Sequence, residues 1–192
     1  MKDILYLVIL FIVLPVMMTG QEGLVDLYDE AIYLLEQGEN KEAIDIFNQL
    51  IEENPAHYQA LGNRGVAYLY LGDKRRAYED LTIAVKNQAT ARFFYFRSLS
   101  REKANYKKVC EDLDNAIALE PSNARYYYDR GQLKFKLYRI LKGEYPNQKL
   151  EWLEEDAGIS LNPCPDFEEA TILNDEYEKT LENCEFFKKQ IH

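Results

Sequence analysis

The chain has 192 residues, 33 acidic against 23 Lys and Arg, and a formal net charge of -10. That balance disfavours nonspecific nucleic-acid binding, which draws most of its affinity from a footprint of Lys and Arg. The length suffices for a substantial core, and three cysteines, Cys110, Cys164 and Cys184, would remain after export into a space where disulfides can form.

Lys2 precedes an apolar run from Ile4 to Leu14, after which Pro15 to Met18 lead to the small residues Thr19 and Gly20. This is the layout of a secretory signal peptide. Ile4 to Met18 is fifteen residues and contains a proline, short of the roughly 20 apolar residues that span a bilayer. Residues 1–20 are therefore expected to be cleaved, leaving an exported protein, periplasmic or secreted, with Gln21 first. A retained membrane tether is the alternative. No cysteine follows the run to carry a lipid.

Beyond this segment an internal repeat dominates. Ala91-Arg92-Phe93-Phe94-Tyr95-Phe96-Arg97 returns 33 residues later as Ala124-Arg125-Tyr126-Tyr127-Tyr128-Asp129-Arg130, and Arg64 stands 33 before Arg97. Each arginine precedes a small residue, Gly65, Ser98 or Gly131, and Ala31 stands 34 before Gly65. A second register carries Ala43, Phe47 and Leu50, then Ala77, Leu81 and Ala84, then Val109, Leu113 and Ala116. Spacings of four and three put each trio on one helical face. Turn residues, Gly38-Glu39-Asn40, Gly72-Asp73 and Ala104-Asn105, separate the registers, and Pro55, Pro121 and Pro163 stand at helix ends. Each copy thus reads as helix, turn, helix, and such pairs bury their apolar faces only by stacking.

The expected organisation is a repeat region over 24–163, in copies at about 24–55, 56–89, 90–121 and 122–163, followed by a capping helix over 164–192, with a detachable regulatory or partner-binding helix as the alternative. Gly131 to Pro163 spans 32 residues against 23 from Ser98 to Pro121, so the fourth copy holds an insertion. The stripe Leu133, Leu137, Tyr138 and Leu141 places it in an elongated first helix and a turn near Gly143 to Asn147. The capping helix is expected to start at Asp166 and run unbroken, with Phe167, Ala170, Leu173, Tyr177, Leu181, Cys184 and Phe187 as its apolar stripe. On such a helix Asp166 and Cys184, 18 residues apart, are separated by roughly 27 Å, so Cys164 and Cys184 are not expected to form a disulfide. Cys164 is then the exposed thiol, and Cys110 and Cys184 are buried.

The arginines of copies two to four are expected to pair across each hairpin: Arg64 with Asp80, Arg97 with Asp112, and Arg130 with Glu154 or Asp156. The first copy has Glu30 instead. Such pairs help to set hairpin register, with ligand binding by these arginines as the alternative. Lys134, Lys136, Arg139 and Lys142 form a local basic stretch, read as a solvated face, with a docking site for an acidic partner or a membrane surface as the alternative. Catalysis finds no support. The histidines are His57 and His192 alone, and there is no Gly-rich phosphate loop and no metal-ligand spacing, so no catalytic residue, cofactor or metal is expected.

In Asn63-Arg64-Gly65, Tyr68, Leu71-Gly72-Asp73, Ala77, Leu81 and Ala84, and again in Asn105-Tyr106, Val109, Leu113, Ala116 and Pro121, the chain resembles the tetratricopeptide repeat family. The resemblance spans about Leu24 to Pro163. It implies an all-α, right-handed superhelical solenoid whose first helices form a concave face that binds a protein or peptide. Stepping by the repeat offsets, that face carries Tyr28, Ile32, Gln59, Asn63, Val66, Arg92, Tyr95, Leu99, Arg125, Tyr128 and Gln132. The candidate partner-binding residues are Tyr28, Asn63, Arg92, Tyr95, Arg125 and Tyr128, because aromatic rings give contact area and arginine forks hold carboxylates. Chaperone-binding members hold a terminal carboxylate in a clamp of Lys and Asn. Only Asn63 and Arg92 resemble it here.

Overall fold

The computed structural model describes residues 27–101 and 105–191, so the leader-like segment 1–20 lies outside the described residues. All regular elements among them are helical, as the repeat pattern requires. The chain divides between Gln88 and Ala89 into two compact units.

The first unit holds α1 over residues 27–37, α2 (Asn40–Glu53), α3 (Tyr58–Tyr70) and α4 (Lys74–Asn87). Its buried residues are the trios read from the sequence. Ala43, Phe47, Leu50, Ala77, Leu81 and Ala84 are all fully shielded from solvent, and burying a Phe or Leu side chain stabilises by about 1.5–3 kcal/mol. Between α3 and α4 the chain reverses at Gly72, whose φ of 83° lies in the left-handed region that favours glycine. Asp73 then caps α4 by accepting from the Arg76 N–H. His57 caps α3 likewise, its Nδ1 accepting from the Ala60 N–H.

In the second unit α5 (Ala91–Ser100) pairs with α6 (Tyr106–Leu119), burying Leu113 and Ala116. The next helix, α7 (Ala124–Glu144), runs for 21 residues, the elongated first helix that the inserted stripe implies. Its hairpin partner departs from expectation. A short α8 (Leu150–Ala157) follows, but α7 pairs with α9 (Cys164–Leu173), beyond Pro163. Phe167 and Ala170, both fully buried, fill the places that Leu81 and Ala84 occupy in the second hairpin. A β-carbon on Gly131 would stand 2.7 Å from the Phe167 ring, just as one on Gly65 would stand 2.8 Å from Leu81. Absence of that carbon is what lets these helices meet.

The unbroken capping helix is also corrected. The helix α9 ends at Asn174, which is extended (φ -155°, ψ 116°) and accepts from the Glu176 N–H through its side chain. Asn and Asp bind nearby backbone in this way and so compete with helix continuation. A short 3-10 helix (Asp175–Thr180) turns the chain back, and α10 (Leu181–Ile191) returns along the core. That reversal brings the Cys164 and Cys184 α-carbons to 5.0 Å, and the two form a disulfide. Cys164 is therefore not an exposed thiol. Around the bridge Phe135, Leu137, Tyr138, Leu141, Leu153, Leu161, Phe167 and Phe187 form one core. Cys110 remains free and buried, as expected.

Candidate partner-binding surface

In the second, third and fourth hairpins the arginine is held by a buried aspartate. Arg64 forks onto Asp80, with Nε to Oδ2 at 2.7 Å and Nη2 to Oδ1 at 2.9 Å, while Nη1 donates to Asn48. That hydrogen-bonded carboxylate raises the Arg64 pKa against the opposing effect of burial. Arg97 pairs with Asp112, which also takes Arg101 at 2.7 Å. Both pairs match the expectation. The third does not: Arg130 reaches Asp166, at 2.6 Å, and Asp114. Glu154 instead accepts from the Leu161 N–H at 2.8 Å, and the side chain of Asp156 lies outside the described residues. Once α9 is the hairpin partner, Asp166 holds the position of Asp80 and Asp112.

With these arginines committed to hairpin register, the recognition candidates lie elsewhere on the first helices. In the first unit the Asn63 amide donates to the Tyr28 hydroxyl at 2.9 Å, and the Tyr28 ring stacks on His57. Asn63 is only 5% exposed and Val66 fully buried, so both residues serve the packing of the hairpins.

The second unit holds the larger cluster. Tyr95 Oη donates to Asp129 Oδ2 at 2.8 Å, and Arg125 Nε donates to the same oxygen at 2.8 Å. Burial, and then the Asp129 carboxylate, push the Tyr95 phenol pKa up. The bond to Asp129 likewise raises that of the Arg125 guanidinium. Arg125 also lies over the Tyr128 ring, 5.7 Å from its centroid, and Tyr128 stacks on Tyr177 at 4.6 Å. Arg92 covers Phe96 at 5.4 Å, and Tyr95 packs against Phe96 and Tyr126. Tyr126 donates to Glu120, and its phenol is pushed up to about 12 by burial and that carboxylate.

Tyr95, Arg125 and Tyr128 are thus brought together, with Arg92 one turn before Phe96 on α5. The organising residue is Asp129, which sequence reasoning missed. A signal was present, since Asp129 stands where the preceding copy has Phe96, a charge replacing a ring. The cluster offers aromatic faces and guanidinium groups but no activated nucleophile. Burial pushes the Cys110 thiol up to about 11, which leaves it protonated near neutrality. Among the described residues no group of three or more His, Cys, Asp or Glu is placed to hold a metal.

Comparison with known proteins adds the following. A family model for the tetratricopeptide repeat matches residues 28–92. Tetratricopeptide repeat protein 6 of Homo sapiens is 27% identical over 128 residues, covering 66% of this chain and 25% of that protein. The chain therefore spans about a quarter of the length of that curated relative. Among solved structures, MamA 41-end from Desulfovibrio magneticus RS-1 is 19% identical with a TM-score of 0.56, over 78% of this chain and 75% of that one. The second TPR domain of the human RPAP3 protein, in complex with HSP70 peptide SGPTIEEVD, is 21% identical with a TM-score of 0.52, over 57% and 93%. At such identities the structures share the fold.

Proposed function

Because the chain belongs to the tetratricopeptide repeat family, we propose that it is an exported, non-enzymatic scaffold that binds a protein or peptide partner along the first helices of its hairpins. The observation that carries this reading is the cluster on α5 and α7 in which Asp129 holds Tyr95 and Arg125, Arg125 lies over Tyr128, and Arg92 lies over Phe96. Rigid aromatic rings and arginines are the side chains that dominate binding energy at protein interfaces. Other proteins of this fold are seen with peptides, the human RPAP3 domain with its HSP70 peptide among them.

Export is supported by the leader-like segment over residues 1–20 and by the Cys164–Cys184 bridge, since disulfides persist in oxidising compartments. Affinity capture with the wild type and with a variant carrying Arg92→Ala, Tyr95→Ala, Arg125→Ala and Tyr128→Ala tests the binding role. A partner recovered by the wild type and lost from the folded variant supports it, and equal recovery by both removes this surface.

A further inference from the structure

The basic stretch on the elongated helix divides into two pairs. Lys134 Nζ lies 2.9 Å from Asp166, inside the hairpin, and Lys142 donates to the Gln148 carbonyl. Lys136 and Arg139 are exposed and make no ion pair with any described residue. Both line a groove of about 520 Å³ whose other walls are Gln132, Phe135, Ile140 and Asn183.

Two features give this groove a chemical preference. Its lining contains no carboxylate, so its only charges are positive, in a chain of net charge -10. It is also partly apolar: Phe135 and Ile140 line it, Ile140 being 37% exposed, and beside the lining Phe186 of α10 meets Phe135 edge-on at 5.9 Å and is 47% exposed. Lys136 and Arg139, three apart on one helix, present their β-carbons roughly 5–6 Å from each other. An extended peptide projects alternate side chains to one side at roughly 7 Å intervals, within reach of these two long side chains.

We propose that this groove between α7 and α10 docks an extended peptide segment carrying two carboxylates separated by one residue, beside an apolar side chain. The carboxylates meet Lys136 and Arg139, and the apolar group meets Ile140 and Phe186. Positive charge with no carboxylate in the lining suits the carboxylates of such a segment. The proposal rests on the peptide-binding reading above but occupies a separate place on α7. It depends on the Cys164–Cys184 bridge, which anchors α10 as the second wall.

Selection of short displayed random peptides against the oxidised full chain tests it. Affinities of a selected peptide are then compared for the wild type, Lys136→Gln/Arg139→Gln, Arg92→Gln/Arg125→Gln and the charge-matched control Lys107→Gln/Lys108→Gln. The expected result is enrichment of acid–any–acid sequences next to Leu, Ile or Phe, whose affinity falls at least about tenfold with Lys136→Gln/Arg139→Gln and less than about twofold with the control. Absence of the acidic pattern, or peptides indifferent to Lys136→Gln/Arg139→Gln, overturns the groove. Where such peptides depend on Arg92 and Arg125 instead, the scaffold reading stands without it. Failure to select any peptide overturns the groove, while the affinity capture described above decides the scaffold reading separately. Binding to phosphatidylglycerol vesicles that Lys136→Gln/Arg139→Gln abolishes, with no peptide selected, assigns the basic face to lipid and overturns the peptide. Circular dichroism of each variant confirms that helicity is unchanged.

Discussion

Arg130 and Asp166 lie 36 residues apart in the chain and 2.6 Å apart in the fold. Asp166 is 2% exposed and also faces Lys134. Removing it leaves two cations at a shielded site without their shared counter-charge. Asp166→Ala should cost about 3–5 kcal/mol, read as a lowered urea midpoint. Arg125→Ala, which breaks an exposed pair one helical turn apart, should cost less than about 1 kcal/mol. Similar losses for both would remove the structural role assigned to Asp166.

Close approach of paired helices at Gly131 leads to a second expectation. Phe167 is fully buried, so its ring has little room to retreat from a new β-carbon. Gly131→Ala should therefore destabilise by about 1–3 kcal/mol through overpacking, even though alanine favours helix. Gly65→Ala meets Leu81 in the same way and should behave alike. A rise in thermal midpoint for either variant would falsify the packing argument.

Thiol chemistry separates the bridge from the free cysteine. With Cys164 and Cys184 bonded and Cys110 buried, the native protein should present no reactive thiol at pH 8. Denaturant alone should expose one, and denaturant with reductant three. Cys164→Ser/Cys184→Ser should lower stability by about 3 kcal/mol and free α10 from the core. Rapid labelling of Cys164 in the folded, unreduced protein is the contrary result.

Alkaline stability follows from the buried phenols. Tyr126 ionises at an ordinary pKa of 10.0 when unfolded but at about 12 in the fold. A raised folded pKa means that the contribution is complete below pH 10 and is lost as pH climbs toward 12. Tyr95 shifts in the same direction. Stability should hold below pH 10 and fall above it, and Tyr126→Phe should flatten part of that fall. Denaturant titrations across this range measure it, and an unchanged slope in Tyr126→Phe argues against a shifted phenol.

The proposed export has its own measurement. After expression with its leader, the exported product should be lighter by residues 1–20, with Gln21 first, as intact mass and amino-terminal sequencing report. Recovery of the full 22.5 kDa chain from the membrane fraction would favour the tether instead.

Sequence alone determined the first three hairpins, because their partners sit close along the chain. Arg64 and Asp80 are 16 residues apart and Arg97 and Asp112 are 15, across a single short turn whose glycine or asparagine is visible in the sequence. Local spacing then sets which faces meet, and the buried trios of α2 and α4, with Leu113 and Ala116 of α6, follow from helical period. At the candidate surface the same offsets brought out Arg92, Tyr95, Arg125 and Tyr128, but not Asp129, whose role exists only where α5 and α7 lie side by side.

The fourth hairpin was decided by tertiary structure. Asp166, Phe167 and Ala170 repeat the spacing of Asp80, Leu81 and Ala84, yet an inserted helix separates them from Arg130, and periodicity carries no information about what an insertion folds around. An apolar stripe from Phe167 to Phe187 suits one straight helix as well as two that double back. Only closure of the core over the far half of α7 selects the reversal at Asn174, because Phe187 of α10 joins Leu153 and Leu161 in that core only once the chain returns. The disulfide follows from that return, since two cysteines distant along a helix become neighbours once the chain folds back on itself.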